Sequence, residues 1–237
     1  MLLSANAGLP EEIHTHVVKY VTHIICEVVQ NACDGTRNIG NAIEGYNLAS
    51  KFGVPLAATA GGWDWALVKA NKLEELVRFW IALAYAHGQR FMVQHPKQQW
   101  CFSRELGTHW YPAPIEAFAP VYQFIKRNAD WFDGFEAISA KGLKPPENTC
   151  CTVRKNTDGS KVVVHVVNKD YDESDKKIRE RTDVRVVLPS SLAPKSARQA
   201  KLLSYDGETA TVPLKVTGDS ITINLPYLHL WTVIAIG

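Results

Sequence analysis

Apolar positions along residues 1–135 come in two alternating textures. Short apolar runs at 2–5, 21–29, 54–60 and 90–94 read as strands. The stretches between them repeat apolar residues every three or four positions, as amphipathic helices do, and helices are expected over 10–20, 38–52, 72–87 and 114–132. In the second of these, Ile39, Ala42, Ile43, Tyr46 and Ala49 share one face, and Gly53 stands where a left-handed C-terminal cap belongs. In the third, Leu73, Leu76, Val77, Trp80, Ile81 and Ala84 do the same, with Asn71 as N-cap and Gly88 as the stop. Strands that are apolar throughout, alternating with helices, define βα units around a parallel sheet covered on both faces.

The texture changes near residue 140. A stretch with Gly142, Pro145 and Pro146 reads as a linker or domain-edge loop. Short β-rich segments follow at 151–155, 161–168, 183–188, 200–204, 209–215, 220–225 and 230–236. Turn signals such as Asp158-Gly159, Asp206-Gly207 and Gly218-Asp219 separate them, and this spacing predicts a small antiparallel β-sandwich. The charged run 170–181 reads as a solvated loop. Two domains are therefore expected, 1–140 and 141–237.

Four βα units are half of what a closed barrel needs, which is eight strands and usually ~250 residues. The first domain reads as the C-terminal portion of a TIM-type (β/α) barrel, and the chain as a fragment of a larger product. A barrel divided between protomers and a small open α/β sheet are the alternatives. The sequence around these elements, 82–88 (ALAYAHG) ahead of the last strand and 121–133 (VYQFIKRNADWFD) in the last helix, resembles barrel-type glycoside hydrolases. So do 162–168 (VVVHVVN), opening the β-rich part, and 225–231 (LPYLHLW), near its end. The resemblance implies hydrolysis or transfer of a glycosidic bond in an oligo- or polysaccharide, without a cofactor.

Composition narrows the classes. A net charge of +2 with acids and bases intermixed leaves no basic footprint for nucleic acid. No run approaches the ~20 apolar residues of a membrane span. The N-terminus lacks the charged start and apolar core of a secretory leader, so a secreted or periplasmic product would carry its signal upstream of Met1. Five cysteines, two of them adjacent at Cys150 and Cys151, make a poor disulfide framework, and no Cys/His spacing suits zinc. His14 and His16 have no third ligand and read as surface histidines. His165, alternating with valines, reads as a core or half-buried residue.

Barrel active sites lie at the C-terminal ends of the strands, and glycosidases use two carboxylates there. Glu27, late in an apolar strand, is the first candidate. Apolar surroundings would raise its pKa and suit it to acid–base work; pairing with Arg37 or Arg90 is the structural alternative. Asp64 follows Gly61-Gly62 and is flanked by Trp63 and Trp65. It reads either as a second carboxylate or as the cap of the next helix, and Trp63 either as a stacking wall for a pyranose or as core. Asn6 ends the first strand. His95 and Trp100 lie in a polar, aromatic loop, 95–110, whose length and heads suit a sugar subsite; Asn31, Asp34 and Arg37 are lesser candidates. Catalytic candidates are thus Glu27 and Asp64, and substrate-binding candidates Asn6, Trp63, His95 and Trp100. The rival functions are a non-catalytic carbohydrate-binding protein and a barrel enzyme of other chemistry, a lyase or esterase.

Overall fold

The four apolar runs of the N-terminal half pair with one another in chain order. The structure, a computed structural model, describes residues 4–6, 20–26, 32–59, 63–93 and 114–237. It divides into two compact units, Met1–Gln123 with Glu173–Lys177, and Phe124–Asp172 with Ile178–Gly237.

In the first unit, β1 (Ser4–Asn6), β2 (His23–Cys26), β3 (Leu56–Thr59) and β4 (Arg90–Met92) form one sheet in the order β1-β2-β3-β4. Every pairing is parallel, with Asn6 opposite Ile25, Cys26 opposite Ala58 and Thr59 opposite Met92. The helix α1 (Ile39–Phe52) ends as expected, with Gly53 at φ +65° donating to the carbonyls of Ala49 and Ser50. The expected helix over 72–87 is instead two. A short α2 (Trp65–Ala70) ends at Asn71, whose Nδ2 donates to the Leu67 carbonyl at 3.0 Å. Lys72 then turns the chain through φ +54°, and α3 (Glu74–Ala86) starts after Leu73. Asn71 therefore closes a helix at its C-terminus and does not open the next. α3 is buried on almost every side, from Leu76 to Ala86.

Gln89, four per cent exposed, joins these elements. Its Oε1 accepts from the Leu56 N–H at 2.8 Å, at the start of β3, while its Nε2 donates to Ser50 Oγ at 2.9 Å and more weakly to the Tyr46 carbonyl. One amide thus satisfies a strand donor and two acceptors of α1, groups that would be costly to bury unpaired. On α4 (Ile115–Arg127), Tyr122 donates its hydroxyl to the Phe91 carbonyl of β4 at 2.5 Å. Burial, helped by nearby Tyr85, pushes that phenol well above its ordinary range. Expected as one helix to residue 132, this segment breaks at Asn128 and continues as a 3-10 turn over Ala129–Trp131.

The second unit is built on two antiparallel sheets. β5 (Phe135–Ala137), β6 (Thr149–Asn156) and β7 (Val162–Asn168) open it, and short strand pieces β8 (Tyr171–Asp172) and β9 (Lys177–Ile178) interrupt the charged run. Arg179 ties that run down, pairing with Asp172 at 2.6 Å and Asp170 at 3.3 Å. β10 (Arg181–Pro189), β11 (Gln199–Ser204), β12 (Ala210–Pro213), β13 (Lys215–Thr217), β14 (Ser220–Leu228) and β15 (Trp231–Ile236) complete it. One sheet runs β12-β11-β15-β7-β6-β5 and the other β10-β14-β13. Val162, Val164 and Val166 of β7 and Ile234 and Ile236 of β15 join β10 and β14 side chains in one buried cluster shared by the two sheets.

Because side chains alternate along a strand, Val163, His165 and Val167 point to the other face of that sheet, and they are buried as well. There His165 and Trp231 lie 5.7 Å apart between ring centroids. Trp231 also meets Phe132 at 5.3 Å and Phe124 at 5.2 Å, both edge-on. Arg154, three per cent exposed, donates through Nη2 to the carbonyls of Phe132 and Phe135 and so fixes the turn that carries Phe132.

Cys26, Cys33, Cys150 and Cys151 are free thiols. Burial, more than the opposing Thr149 hydrogen bond, pushes Cys151 from 9.0 up to about 11, and burial raises Cys150 too. A thiol held protonated in the folded state contributes stability that is complete below pH 9 and is lost as pH climbs through 11. Denaturant melts are expected to lose about 2 kcal/mol over that window, a loss absent from Cys151→Ser. At pH 8 iodoacetamide should label Cys151 at roughly a hundredth of the rate of an unperturbed thiol; labelling at the free-thiol rate would sink this assignment.

Candidate active site

A parallel sheet points all its strand ends one way, and the register places Asn6, Cys26, Thr59 and Met92 along a single edge. These are the last residues of β1, β2, β3 and β4. The chain leaves that edge into the segments that hold the candidates. Glu27 directly follows Cys26 in sequence, but Glu27, Asn31, His95 and Trp100 lie outside the described residues. Asn6 is where the sequence puts it, at the end of β1.

Asp64 takes the structural one of its two readings. Its backbone is extended, and its Oδ1 accepts from the Leu67 N–H at 3.0 Å, the geometry of an N-cap on α2. Trp63 is a correction. Expected as a stacking wall, it is one per cent exposed, with its ring 5.3 Å from Trp65 and 5.5 Å from Phe91. Ring faces occupied by other rings are not offered to a sugar. Trp65 in turn approaches Phe118, and Phe118 approaches Tyr122. An aromatic bracket therefore joins the turn after β3 to β4 and α4, beneath the edge.

Two positioning contacts carry no signal in the sequence. Cys33 Sγ donates to the Asp64 carbonyl at 3.8 Å, linking the chain after β2 to the chain after β3. The Tyr122 hydroxyl fixes β4 one residue before its end. Asp34 closes the 3-10 turn Ala32–Asp34, and Arg37 is exposed. Among the described residues no three His, Cys, Asp or Glu side chains gather as metal ligands, and no helix is long and apolar enough to cross a membrane.

No protein-family profile and no curated protein sequence matches the chain. Solved structures do, and they give it a glycoside-hydrolase-like fold. A cycloisomaltooligosaccharide glucanotransferase of Paenibacillus sp., complexed with cycloisomaltoheptaose, superposes with a TM-score of 0.51 at 16% identity, over 68% of this chain and 27% of that one. A glycoside hydrolase family 30 subfamily 8 xylanase of Clostridium acetobutylicum has a TM-score of 0.49 at 11% identity, over 100% of this chain and 56% of that one. The α-fucosidase of Thermotoga maritima, in complex with fucose, gives 0.43 at 13% identity, with 78% and 40% covered. The chain thus spans about a quarter of the glucanotransferase and just over half of the xylanase.

Proposed function

We propose that the chain is the C-terminal part of a (β/α)-barrel enzyme that hydrolyses or transfers glycosidic bonds, with the barrel portion over 1–140 and a β-sandwich over 141–237. The observation that carries this reading is strand order. Doubly wound sheets reverse their order at a switch point, whereas barrel strands follow one another around the ring. The four parallel strands here run β1-β2-β3-β4 without reversal. Two antiparallel sheets over one shared core support the sandwich, and the likeness to the glucanotransferase supports the fold.

On this reading the site is the C-terminal edge of the sheet. Glu27, the next residue after β2, acts as general acid/base or nucleophile, and Asn6, His95 and Trp100 bind the sugar. Asp64 holds the turn after β3 through its cap, and the partner carboxylate comes from the upstream part of the barrel. Soluble glycosides and oligosaccharides are the substrates to screen, with this chain and with the full-length product. Glu27→Gln is expected to lower kcat/KM by about a thousandfold while sugar affinity stays within a fewfold. Asp64→Asn, which keeps the cap acceptor, should leave turnover within about threefold, since Asn caps as well as Asp. Parent-like turnover by Glu27→Gln overturns the assignment. Sugar affinity without turnover by either protein selects the binding-protein reading, and turnover confined to uronic or acylated substrates selects a lyase or esterase.

A further inference from the structure

An edge strand leaves a row of backbone donors and acceptors open to another chain. In the second unit the longest edge is β10, paired only with β14. The segment that reads as a linker in the sequence lies along its other side. Leaving β5, the chain first stays with β6, where the Ile138 N–H bonds the Val153 carbonyl. It then crosses to the other sheet, and Lys144 forms an antiparallel bridge with Val187, its N–H donating to the Val187 carbonyl at 2.9 Å. Farther on, the Glu147 carbonyl accepts from the Arg181 guanidinium, and Thr149 rejoins β6. The strap is pinned from below, because Ile138, Ala140 and Leu143 pack against the shared core. Gly142, at φ +91°, passes so close to Pro189 that a Cβ there would lie 3.1 Å from its Cγ.

Backbone groups along an antiparallel strand alternate between its two sides. Val187 turns its carbonyl to the strap, so Arg185 and Pro189 turn theirs the same way. Pro189 has no N–H to offer, and Lys144 occupies Val187. What the strap covers is the remainder of a nine-residue strand that is otherwise ready to pair.

We infer that residues 138–148 act as an edge guard whose release lets β10 pair antiparallel with β10 of a second copy of this chain across a two-fold axis. A strand that pairs with its own counterpart forms an isologous, closed contact, so the product is a dimer and not a fibre. The inference is independent of any catalytic role.

Lys144→Pro deletes the bridging N–H, and Gly142→Val dislodges the strap at its tightest point; both leave β10 and β14 unaltered. Sedimentation velocity over a concentration series is expected to show each variant shifting toward twice the mass of the unaltered protein's species. A second substitution, Arg185→Pro, removes an N–H on the open side of β10 only and is expected to abolish that shift without restoring the lost melting temperature. Variants that sediment like the parent overturn the inference, as does a shift that survives Arg185→Pro, because association then uses another surface. Should either strap variant fail to fold, hydrogen exchange of the unaltered protein decides. The Lys144 amide must be protected like those of β10, and exchange as fast as an exposed turn overturns the guard.

Discussion

Truncating Trp231 to alanine is expected to lower the unfolding free energy of the second unit by about 4 kcal/mol, the range for removing a large aromatic from a core. The indole is fully buried at the start of β15 and touches three rings, from Phe124, Phe132 and His165. Those rings come from a helix, a turn and a central strand, so the hole left by alanine cannot close by moving one of them. Edge-on geometry adds about 0.5–1.5 kcal/mol per aromatic pair beyond the area buried. Trp231→Phe, which keeps much of the contact, is expected to cost under half as much. Urea denaturation followed by near-ultraviolet circular dichroism measures both. A loss below about 1 kcal/mol for the alanine variant would mean that the face of the sheet carrying His165 is not packed as described.

The second large effect is expected at Gln89. Gln89→Leu keeps the volume and removes every hydrogen bond, leaving the Leu56 N–H and the Tyr46 carbonyl to be satisfied by groups that are not there. About 3 kcal/mol is expected, since an orphaned buried backbone group costs roughly 1–3 kcal/mol. Gln89→Glu separates the roles. It keeps the acceptor for Leu56 but loses the donor for Ser50, and it buries a charge beside the Tyr46 carbonyl. It should therefore melt lower than the leucine variant at neutral pH and recover as the medium is acidified. A double-mutant cycle with Ser50→Ala is expected to return a coupling of about 1 kcal/mol. Additive effects would show that the 2.9 Å contact contributes nothing.

Where local chemistry decides the structure, the sequence was readable. Gly53 has one conformational advantage, its freedom at positive φ, and it ends α1 by using it. Asn71 misled because asparagine serves both helix ends. Its amide reaches back to Leu67 as readily as its oxygen could have reached forward, and the positive φ of Lys72 settles the choice. The Trp63-Asp64-Trp65 triplet invited a sugar site because stacking walls and core brackets use the same residues. Only burial tells them apart, and burial is a property of the assembled chain. β5 is three residues long and owes its existence to β6, so no local pattern announces it. The strap over β10 looked like a linker for a related reason: its prolines and glycine speak of turns, and its single bridge is made to a partner far along the chain. Asn6 could be placed at the strand edge from sequence because a strand's end is local.

The order β12-β11-β15-β7-β6-β5 also has a consequence for synthesis. β7 can pair with β6 as soon as it emerges from the ribosome, since only a short hairpin separates them. Its other neighbour is β15, which is made after β8 to β14. Throughout that interval the valine-rich edge of β7 stands open, a short apolar strand with no charge and no proline, the composition that favours intermolecular pairing. Sheet closure must wait for translation of the strand that seals it, so the nascent chain is at its most vulnerable late in elongation. Slow elongation beyond β7 lengthens that exposure, and a chaperone that shields hydrophobic strand edges would find its chief client segment there.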